Sequence, residues 1–480
     1  MSRDTLSIVL KSVSKSRVAI IGCILVAILL PVLSASLILD LLGLVKNPYF
    51  GFLTYMIIGP LFAVGLIMII LGIFFLPSND EEIGLYAFEY IKEQLTLPGR
   101  LSRVRRLLGT VYFLSFFIVL VVVVVSYTGF RYTETVSFCT QFCHQAMEPE
   151  LVSYRNSPHS QIPCVHCHIG ESAGLKAKSK ISGINQIFAV TFDTYSRPIK
   201  TPTEGLRPTQ ATCVQCHRPE TFHGDKLHIK HRYQADEQNS DLQTILLVQI
   251  GSGGYRGEQA NGIHWHISPQ QKIYYTHTDR ERKDIIEVKV VKNDGSERVF
   301  TRREKTAATE ATAITRLMDC IDCHNRPTHI FLSPDEALDR RIASGEISQQ
   351  IPYIKRQAKA AITQQYANSQ EAQIAITRQL HGWYGQNYPE YAGEKKPLLD
   401  RAIQGIYQAY AENVFPEMNV TWNTYENFAG HQDSPGCFRC HNPQFADETG
   451  NSISHDCRTC HVVLAHEESD PEILRTLRGK

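Results

Sequence analysis

The chain lacks two things: an excess of charge of one sign, and cysteines outside one repeated pattern. Its 480 residues include 49 Lys and Arg against 48 Asp and Glu, so no strongly basic surface is available for a nucleic acid or another polyanion. Of its 13 cysteines only Cys23 stands apart from the pattern. Because Cys23 lies inside an apolar stretch, we expect a buried, unreactive thiol there.

The other cysteines form six pairs, and each pair is followed at once by a histidine. Two thiols at this spacing can bond the two vinyl groups of one porphyrin while the adjacent imidazole ligates its iron, which is the attachment pattern of c-type haem. The sequence therefore predicts six covalently bound c-type haems. The motifs are CTQFCH (Cys139, Cys143, His144), CVHCH (Cys164, Cys167, His168), CVQCH (Cys213, Cys216, His217), CIDCH (Cys320, Cys323, His324), CFRCH (Cys437, Cys440, His441) and CRTCH (Cys457, Cys460, His461).

Two other uses of paired cysteines compete with haem attachment. Structural zinc needs four ligands, and only the last two motifs stand close enough together to supply them. A disulfide framework is the other alternative. Neither explains why a histidine follows every pair. The first motif differs from the rest because three residues, rather than two, separate its cysteines; this longer gap can still reach both vinyl groups.

Three apolar stretches precede the first motif, and each exceeds the roughly 20 residues that a helix needs to cross a bilayer core. They run from Val18 to Leu39, from Phe52 to Leu76 and from Leu107 to Phe130, and none contains a charged side chain. A cleaved signal peptide is the alternative for the first, but its apolar run is longer than the roughly 7–15 residues of a signal core. We predict three N-terminal transmembrane helices.

Basic residues flank these stretches unevenly. They are frequent before the first stretch and between the second and third, whereas the link between the first two has only Lys46. The positive-inside rule then places the N-terminus in the cytoplasm and everything after Phe130 in the periplasm, at the inner membrane of a bacterium. The basic residues are Arg3, Lys11, Lys15 and Arg17, then Lys92, Arg100, Arg103, Arg105 and Arg106.

The exported part shows little apolar periodicity around its motifs, as expected where porphyrins supply much of the core. We predict a mainly α multihaem cytochrome with a small β insertion. Its segments would be a membrane anchor (1–130), a three-haem domain (131–235), a β-rich insertion (236–310), a helical section with the fourth haem (311–430) and a C-terminal dihaem segment (431–480).

Local patterns predict the elements of this region. Strand-like runs occupy Thr244 to Ile250, Lys272 to Tyr275 and Ile285 to Val291, and Asn293-Asp294-Gly295 before Arg298 to Thr301 predicts a hairpin. Ser333 is typical of a helix N-cap. Helical spacing of apolar residues follows in Ile342 to Tyr353, Glu371 to Trp383 and Pro397 to Phe415.

Six-coordinate haems need a second axial ligand, and histidines are abundant. Of 19 histidines, six stand in motifs. Among the others we favour six that lie near motifs or cluster together, which are His159, His231, His264, His266, His329 and His431. Weaker candidates are His166, His223, His228, His277, His381, His455 and His466. Met147, three residues after His144, is either a thioether ligand of the first iron or a packing residue.

The run CTQFCHQAMEPE…SPHSQIPCVHCHIG, directly after a membrane stretch and followed by the lysines of LKAKSKISG, resembles the NapC/NirT family of membrane-anchored multihaem cytochromes. The resemblance covers roughly residues 131 to 220. It implies oxidation of membrane quinols and electron delivery to periplasmic partners. It also implies that His159 is a distal ligand and that Met147 ligates the first iron, although here both gaps of the family's CxxCHxM form are one residue longer.

The segments CIDCHNRPTHIF and NVFPEMNVTW are similar to the larger inner-membrane cytochromes of that family from metal-respiring bacteria. This similarity implies a route from menaquinol to extracellular acceptors. The best-known example has seven haem motifs, whereas this chain has six.

The resulting hypothesis is a conduit that takes electrons from the membrane quinol pool and passes them to periplasmic cytochromes or reductases. Candidates for quinol contact or proton uptake are Glu148, Glu150, Lys178, Lys180 and Asp193, and the two lysines follow the second motif where the resemblance places a quinol-site lysine. Two alternatives remain open. One is a relay subunit without a quinone site, and the other is a reductase of a small oxyanion, for which the sequence offers no CxxCK variant.

Overall fold

The computed structural model describes residues 16–41, 53–74, 124–142, 144–170, 173–203, 208–221, 224–254, 259–303 and 313–479, with single positions at 109, 113, 116, 117 and 120. The chain divides into two compact units, Met1–Cys143 and His144–Lys480, and each is described by itself.

Two apolar helices make up most of the described part of the first unit. Helix α1 spans Arg17–Leu41, and a π-helical segment, Leu53–Ile58, leads into α2, Gly59–Phe74. Within α1, Arg17–Ser36 has the length and composition to cross a membrane, with a mean hydropathy of 2.8. The apolar part of α2, Gly59–Gly72, is shorter. One candidate span is therefore found among the described residues.

Glycines let α1 and α2 pack backbone to backbone. A Cβ atom at Gly22 would lie 2.7 Å from the carbonyl oxygen of Gly65, and one at Gly72 would lie 2.5 Å from the Ala19 nitrogen. Since earlier positions of α1 meet later positions of α2, the two helices are antiparallel. Close approach through small residues is the usual way in which helices associate in lipid, where side-chain burial gives little driving force.

Half of the third predicted membrane stretch lies outside the described residues. Its described positions are helical, and the helix continues to residue 132. The basic loop before it, on which the predicted orientation depends, lies outside the described residues.

The second unit begins with three helices, α3 (His144–Arg155), α4 (Cys164–His168) and α5 (Ala173–Thr191). The second motif forms α4, whereas each of the last four motifs forms a single 3₁₀ turn. In three of these turns the motif histidine N–H donates to the carbonyl oxygen of the first cysteine, as His217 does to Cys213 at 2.8 Å. This local bond places the first cysteine and the histidine on one side of the turn.

Two small antiparallel sheets follow. The strands are β1 (Lys226–Tyr233), β2 (Asp241–Val248), β3 (Gln271–His277), β4 (Ile285–Lys292), β5 (Glu297–Arg302), β6 (Ile314–Leu317), β7 (Phe445–Ala446) and β8 (His461–Glu468). One sheet has the order β1-β2-β8 and the other β6-β3-β4-β5-β7. The predicted strands and the β4–β5 hairpin are confirmed. Both sheets also take strands from outside residues 236–310, so C-terminal segments close each sheet.

The helical section contains α6 (Pro334–Ala343), α7 (Ile354–Ile362), α8 (Ser369–Asn387) and α9 (Lys396–Ala411), and α10 (Glu472–Leu477) ends the chain's described part. The predicted cap is confirmed, since Ser333 Oγ accepts from the Glu336 N–H. The helices predicted around α8 and α9 are also confirmed. The helix predicted over Ile342–Tyr353 is wrong, because Gly345 at φ 80° ends α6 and the chain turns before α7.

Buried polar contacts join the β1–β2 hairpin to the helical core. The Asn239 side chain donates to the carbonyl oxygens of Gln349 and Ile351 and accepts from the Lys355 N–H. Asp339 accepts from the Tyr233 N–H and pairs with the buried Lys355 ammonium at 2.5 Å. Since β8 pairs with β2 and begins at His461, these contacts also fix the position of the sixth motif.

Candidate haem-ligation sites

Four motif histidines lie ring against ring with a second histidine that is distant in sequence. Every second histidine in these pairs belongs to the six that the sequence favours. The ring centroids are 6.3 Å apart for His168 and His329, 5.9 Å for His217 and His159, 5.7 Å for His441 and His266, and 6.1 Å for His461 and His431.

These separations suit two imidazoles on opposite sides of one iron. A metal–imidazole bond is about 2 Å long, so two such bonds in line hold the nitrogens about 4 Å apart. In the His441–His266 pair, the two Nε2 atoms are 3.5 Å apart. The separation of these nitrogens is therefore close to the one that two imidazoles bound to one haem iron would need.

The backbone orients three of the paired rings. In each of them Nδ1 lies within hydrogen-bond distance of a carbonyl oxygen, which selects the tautomer with the proton on Nδ1 and leaves the Nε2 lone pair free to ligate a metal. The distances are 3.1 Å from His159 to Pro327, 2.7 Å from His266 to Ile263 and 2.6 Å from His441 to Ser454.

His329 is oriented by a carboxylate as well as by the backbone. Its Nδ1 lies 3.0 Å from the Glu150 carbonyl oxygen and 3.0 Å from Glu150 Oε2. Burial by itself raises the pKa of Glu150, but the hydrogen bond and charge of His329, with the charge of Arg326, outweigh burial and lower it. Glu150 therefore stays ionised beside the His168–His329 pair.

The fourth motif histidine, His324, is an electrostatic neighbour of His264. Burial lowers the pKa of His264, and the charge on His324 lowers it further. Burial likewise lowers the pKa of His266. Neutral imidazoles are the form that ligates metals, so both residues of the GIHWHI segment are suited to ligation at neutral pH.

The second, third and fourth motifs are neighbours in that order. In the unmodified polypeptide, desolvation and then the charge of Cys213 raise the pKa of Cys167, with Cys164 and Cys216 adding to the effect. Cys213 also contributes to the raised pKa of Cys320, after desolvation, the main cause. The third motif therefore lies within electrostatic reach of both the second and the fourth.

The series continues to the end of the chain. Burial, followed by the charge of Cys437, raises the pKa of Cys323 to about 12. Cys437 also raises the pKa of Cys460, again after desolvation. Motifs two to six thus form an unbroken series of neighbours in sequence order.

Comparison with known proteins identifies the family. Residues 102–210 match the N-terminal region of the NapC/NirT cytochrome c family. Over 459 residues the chain is 37% identical to the cytochrome c-type protein ImcH of Geobacter sulfurreducens, an alignment that covers 95% of this chain and 89% of that protein. The chain belongs to the NapC/NirT cytochrome c family. No solved structure matches it.

Membership of the NapC/NirT family confirms the resemblance drawn from the sequence. It establishes a membrane-anchored cytochrome c of electron transfer with covalently bound haem. The apolar α1 near the N-terminus agrees with membrane anchoring.

Two charged residues that the sequence analysis overlooked connect neighbouring motifs of this NapC/NirT cytochrome. Asp322, inside CIDCH, is 2% exposed and pairs with Arg282 at 3.0 Å and with Arg316 at 3.1 Å. Tyr275 Oη donates to the same carboxylate at 2.6 Å. Burial and then the negative charge of Asp322 raise the pKa of Tyr275, so its hydroxyl stays protonated.

Arg439, inside CFRCH, completes this connection. Its guanidinium donates to the carbonyl oxygens of Asp322 and Arg282 and lies 3.9 Å over the Phe428 ring. Both residues could have been noticed in the sequence, because each is a charged side chain between the two cysteines of a haem motif. At these two motifs that side chain is held by hydrogen bonds to other segments of the chain.

His231 has different surroundings from the favoured histidines that are paired with motif histidines above. Its Nδ1 lies 2.8 Å from Asp241 Oδ2, and its ring stacks on Tyr233. The first motif cannot be compared with the others, because the side chain of His144 lies outside the described residues. Met147 is partly buried on α3.

The weaker histidine candidates have other surroundings. His277 Nδ1 lies 2.7 Å from the Asp279 carbonyl oxygen, and His381 pairs with Asp400 at 3.0 Å. Four more, His166, His228, His455 and His466, are exposed. His223 lies outside the described residues.

The candidates for quinol contact do not converge on one point. Lys178 is exposed near the start of α5, whereas Asp193 follows its end and pairs with Arg197 at 2.5 Å. The rise of a helix separates these two positions by about 20 Å, so one quinol ring cannot touch both. Glu148 is exposed on α3, and the Lys180 side chain lies outside the described residues.

Proposed function

We propose that this NapC/NirT cytochrome oxidises menaquinol or another membrane quinol and passes the electrons to periplasmic cytochromes or reductases, in anaerobic or extracellular respiration. It would sit in the bacterial inner membrane with three transmembrane helices, its N-terminus in the cytoplasm and its haem region in the periplasm. The observation that carries the proposal is the unbroken series of motifs two to six in a chain that begins with a membrane anchor.

Six haems would be held, one at each motif. The paired rings would hold four of them: His168 with His329, His217 with His159, His441 with His266, and His461 with His431. We assign His324 with His264 to the fourth motif. His144 would ligate the first iron with Met147, as the family resemblance implies, and His231 is the alternative.

Bound haem supplies a centre at each motif that accepts or gives one electron. The polypeptide's part is to hold neutral imidazoles with Nε2 free, and the carbonyl oxygens of Pro327, Ile263 and Ser454 do this at three rings. Each such bond fixes the ring plane before ligation, so little reorganisation accompanies a change of charge. Asp322 and Arg439 keep the fourth and fifth motifs at a fixed separation.

Oxidation of a quinol to a quinone releases two electrons and two protons, so the site needs proton acceptors beside the first motif. Glu148, Lys178, Lys180 and Asp193 are the proposed candidates for quinol contact or proton uptake, and of these the two carboxylates are the groups that can accept a proton at neutral pH. Given the length of α5, we place the quinol at the Lys178 and Lys180 end, where the family resemblance expects a lysine, and assign Asp193 to proton release at most.

The paired histidines count against a reductase. Reduction of a small oxyanion at an iron requires an open coordination position, whereas a second histidine ring lies beside four of the motif histidines, and His264 is an electrostatic neighbour of a fifth, His324. We therefore propose electron transfer, and not substrate reduction, as the role of the motifs.

Stopped-flow absorbance tests the proposal. Oxidised full-length protein in detergent or nanodiscs is mixed with a menaquinol analogue, and the reduced c-haem band is followed with and without a quinol-site inhibitor. We expect fast, inhibitor-sensitive reduction of several haems. Full reduction by dithionite without reduction by quinol would instead support a relay subunit that receives electrons from another membrane protein.

A further inference from the structure

Helix α5 carries a continuous apolar face that is open to its surroundings. Ile181, Ile184 and Phe188 lie on α5, and Phe192 directly follows its last residue, with its N–H donating to the Phe188 carbonyl oxygen. These four side chains are 70%, 52%, 57% and 67% exposed. At 3.6 residues per turn these four positions fall within an arc of about 80°. The rings of Phe188 and Phe192 are parallel, with their centroids 6.1 Å apart.

Apart from Leu175 near its start, the other exposed side chains of α5 are mainly polar, and the charges of the helix are all of one sign. Ser182, Asn185 and Gln186 are exposed beside the apolar face, and Lys178 is exposed near the start of the helix. Lys176 and Lys180 stand on either side of Lys178 in the sequence, and no Asp or Glu occurs between residues 173 and 192. A basic start with one apolar face and one uncharged polar face is typical of helices that lie in a membrane interface.

The length of the apolar run excludes a crossing. The apolar segment Ile181–Thr191 is about 16 Å long as a helix, against about 30 Å for the hydrocarbon core. A helix of this kind can lie along a bilayer surface. The same chain carries α1, which has the length and composition of a membrane span, so the bilayer is always present at high effective concentration.

We propose that α5 is an interfacial helix that binds anionic phospholipid, with Ile181, Ile184, Phe188 and Phe192 in the acyl boundary and Lys178 at the headgroup phosphates. The inference rests on the established membrane anchoring and not on quinol oxidation. It assigns α5 the role of holding the haem region against the membrane surface.

Photocrosslinking in nanodiscs tests this placement. p-Benzoylphenylalanine is introduced at Phe188 of the full-length holoprotein, and at Gln186 as the control on the polar face of the same helix. After illumination in nanodiscs of phosphatidylglycerol and phosphatidylcholine, we expect a phospholipid adduct at position 188 in several-fold higher yield than at position 186. The measurement uses oxidised protein without quinol, so its outcome is separate from that of the stopped-flow experiment.

Three outcomes would overturn the inference. An adduct between position 188 and a haem-bearing peptide would show that a porphyrin covers the face, and an adduct to a second protein chain would show a protein interface. Equal lipid yields at the two positions would show that the helix has no preferred face toward lipid.

The role of charge is tested by Lys178→Gln in the position-188 background. We expect this change to lower the adduct yield several-fold in phosphatidylglycerol nanodiscs and to leave it unchanged in nanodiscs of phosphatidylcholine alone. An identical yield in both lipids, with and without Lys178, would contradict recognition of the anionic headgroup.

Discussion

Arg439, between the cysteines of the fifth motif, donates a hydrogen bond to the main-chain carbonyl oxygen of Asp322, between the cysteines of the fourth. The same guanidinium donates to the Arg282 carbonyl oxygen at 2.7 Å. Asp322 is itself anchored by two arginines and a tyrosine on or beside the five-stranded sheet. The two motifs are therefore joined by the polypeptide and not only by whatever haems they carry.

Replacing Arg439 should weaken this junction. Hydrogen bonds to charged groups contribute about 1.5–3 kcal/mol each, and Arg439→Gln removes the guanidinium that donates to the carbonyl oxygens of Asp322, Arg282 and Gly436. The shorter glutamine amide replaces at most part of these bonds, so we expect the free energy of unfolding to fall by at least about 2 kcal/mol, measured by urea unfolding of the holoprotein.

The control is Arg458→Gln in the spacer of the sixth motif. Arg458 is 83% exposed and bonds only its neighbour Asp456 among the described residues, so we expect no measurable change in stability. Equal losses in the two variants would mean that the position in the motif, and not the bridge to Asp322, determines the effect.

Removing the Asp322 charge should cost more. Asp322→Asn leaves Arg282 without its buried counter-charge and Arg316 with Asp319 alone, and breaking a buried pair costs about 3–5 kcal/mol. The same unfolding measurement applies, with Asp456→Asn as the control, because Asp456 is an exposed acidic residue at the start of the sixth motif's turn. A stability of Asp322→Asn close to that of the unaltered protein would exclude a structural role for the charge.

The histidine pairs predict which substitutions open an iron. His431→Ala should convert one haem per chain from low spin to high spin, because the His431 ring faces His461 at 6.1 Å. Electron paramagnetic resonance of the oxidised protein and carbon monoxide binding by the reduced protein measure this change.

His231→Ala is the matched control for His431→Ala. His231 bonds Asp241 and stacks on Tyr233, so we expect its removal to leave the five haems of the second to sixth motifs low spin. A high-spin signal would then be assigned to the first haem and would replace Met147 by His231 as its ligand. A wholly low-spin spectrum of His431→Ala would disprove the pairing of His431 with His461.

The glycine contact between α1 and α2 should be intolerant of larger side chains. Any Cβ at Gly22 meets the backbone of α2, with the Gly65 carbonyl oxygen 2.7 Å away, so Gly22→Val should separate the helices and lower the thermal stability of the membrane unit in detergent. At Gly109 a Cβ would meet no atom of the described residues within 4 Å. Gly109→Val should therefore behave like the unaltered protein in the same thermal assay, and equal effects would argue against close packing.

Acid should remove one defined contribution to stability. The Thr278 hydroxyl and then the Arg302 guanidinium bond Asp284 and lower its pKa. Because the pKa of Asp284 is lower in the folded than in the unfolded protein, ionised Asp284 stabilises the fold. This stabilisation is fully present above the pKa of the unfolded state, about 3.9, and disappears as the pH falls through the pKa of the folded state. Asp284→Asn should thus be less stable than the unaltered protein at pH 7, and the difference should shrink below about pH 4.

Thermal unfolding of both proteins between pH 7 and pH 2 measures this convergence. Asp433→Asn, at an exposed carboxylate, should show no such pH dependence. If the stability difference between Asp284→Asn and the unaltered protein stayed constant down to pH 2, the loss of stability would come from the changed packing of the side chain and not from its lost charge.

The sequence predicts the chemistry of the motifs and most local elements, because these depend on nearby residues. CxxCH spacing is local, and so are the Ser333 cap and the alternating pattern of β3 and β4. The wrong helix over Ile342–Tyr353 shows the limit of periodicity: Ile347 and Ile351 are spaced as in a helix, yet they are fully buried in turns of the helical core.

Pairing of the histidines could not be predicted from sequence, although the favoured set contains all five proposed partners. Nearness in sequence suggests that His329 serves the fourth motif and His431 the fifth. The structure instead brings His329 to His168 and His431 to His461. Such pairings depend on how distant segments pack, and no local pattern encodes them. The contact between Arg439 and Asp322 depends on distant packing in the same way.

The paired rings also constrain the order in which the protein can mature. His441 faces His266 across 175 positions of sequence, and His168 faces His329. A ribosome makes the earlier member of each pair long before the later one, so the second motif exists without its partner until most of the chain has been synthesised. Haem attached early must therefore persist with one protein ligand. The second ligand can bind only after the C-terminal half has folded.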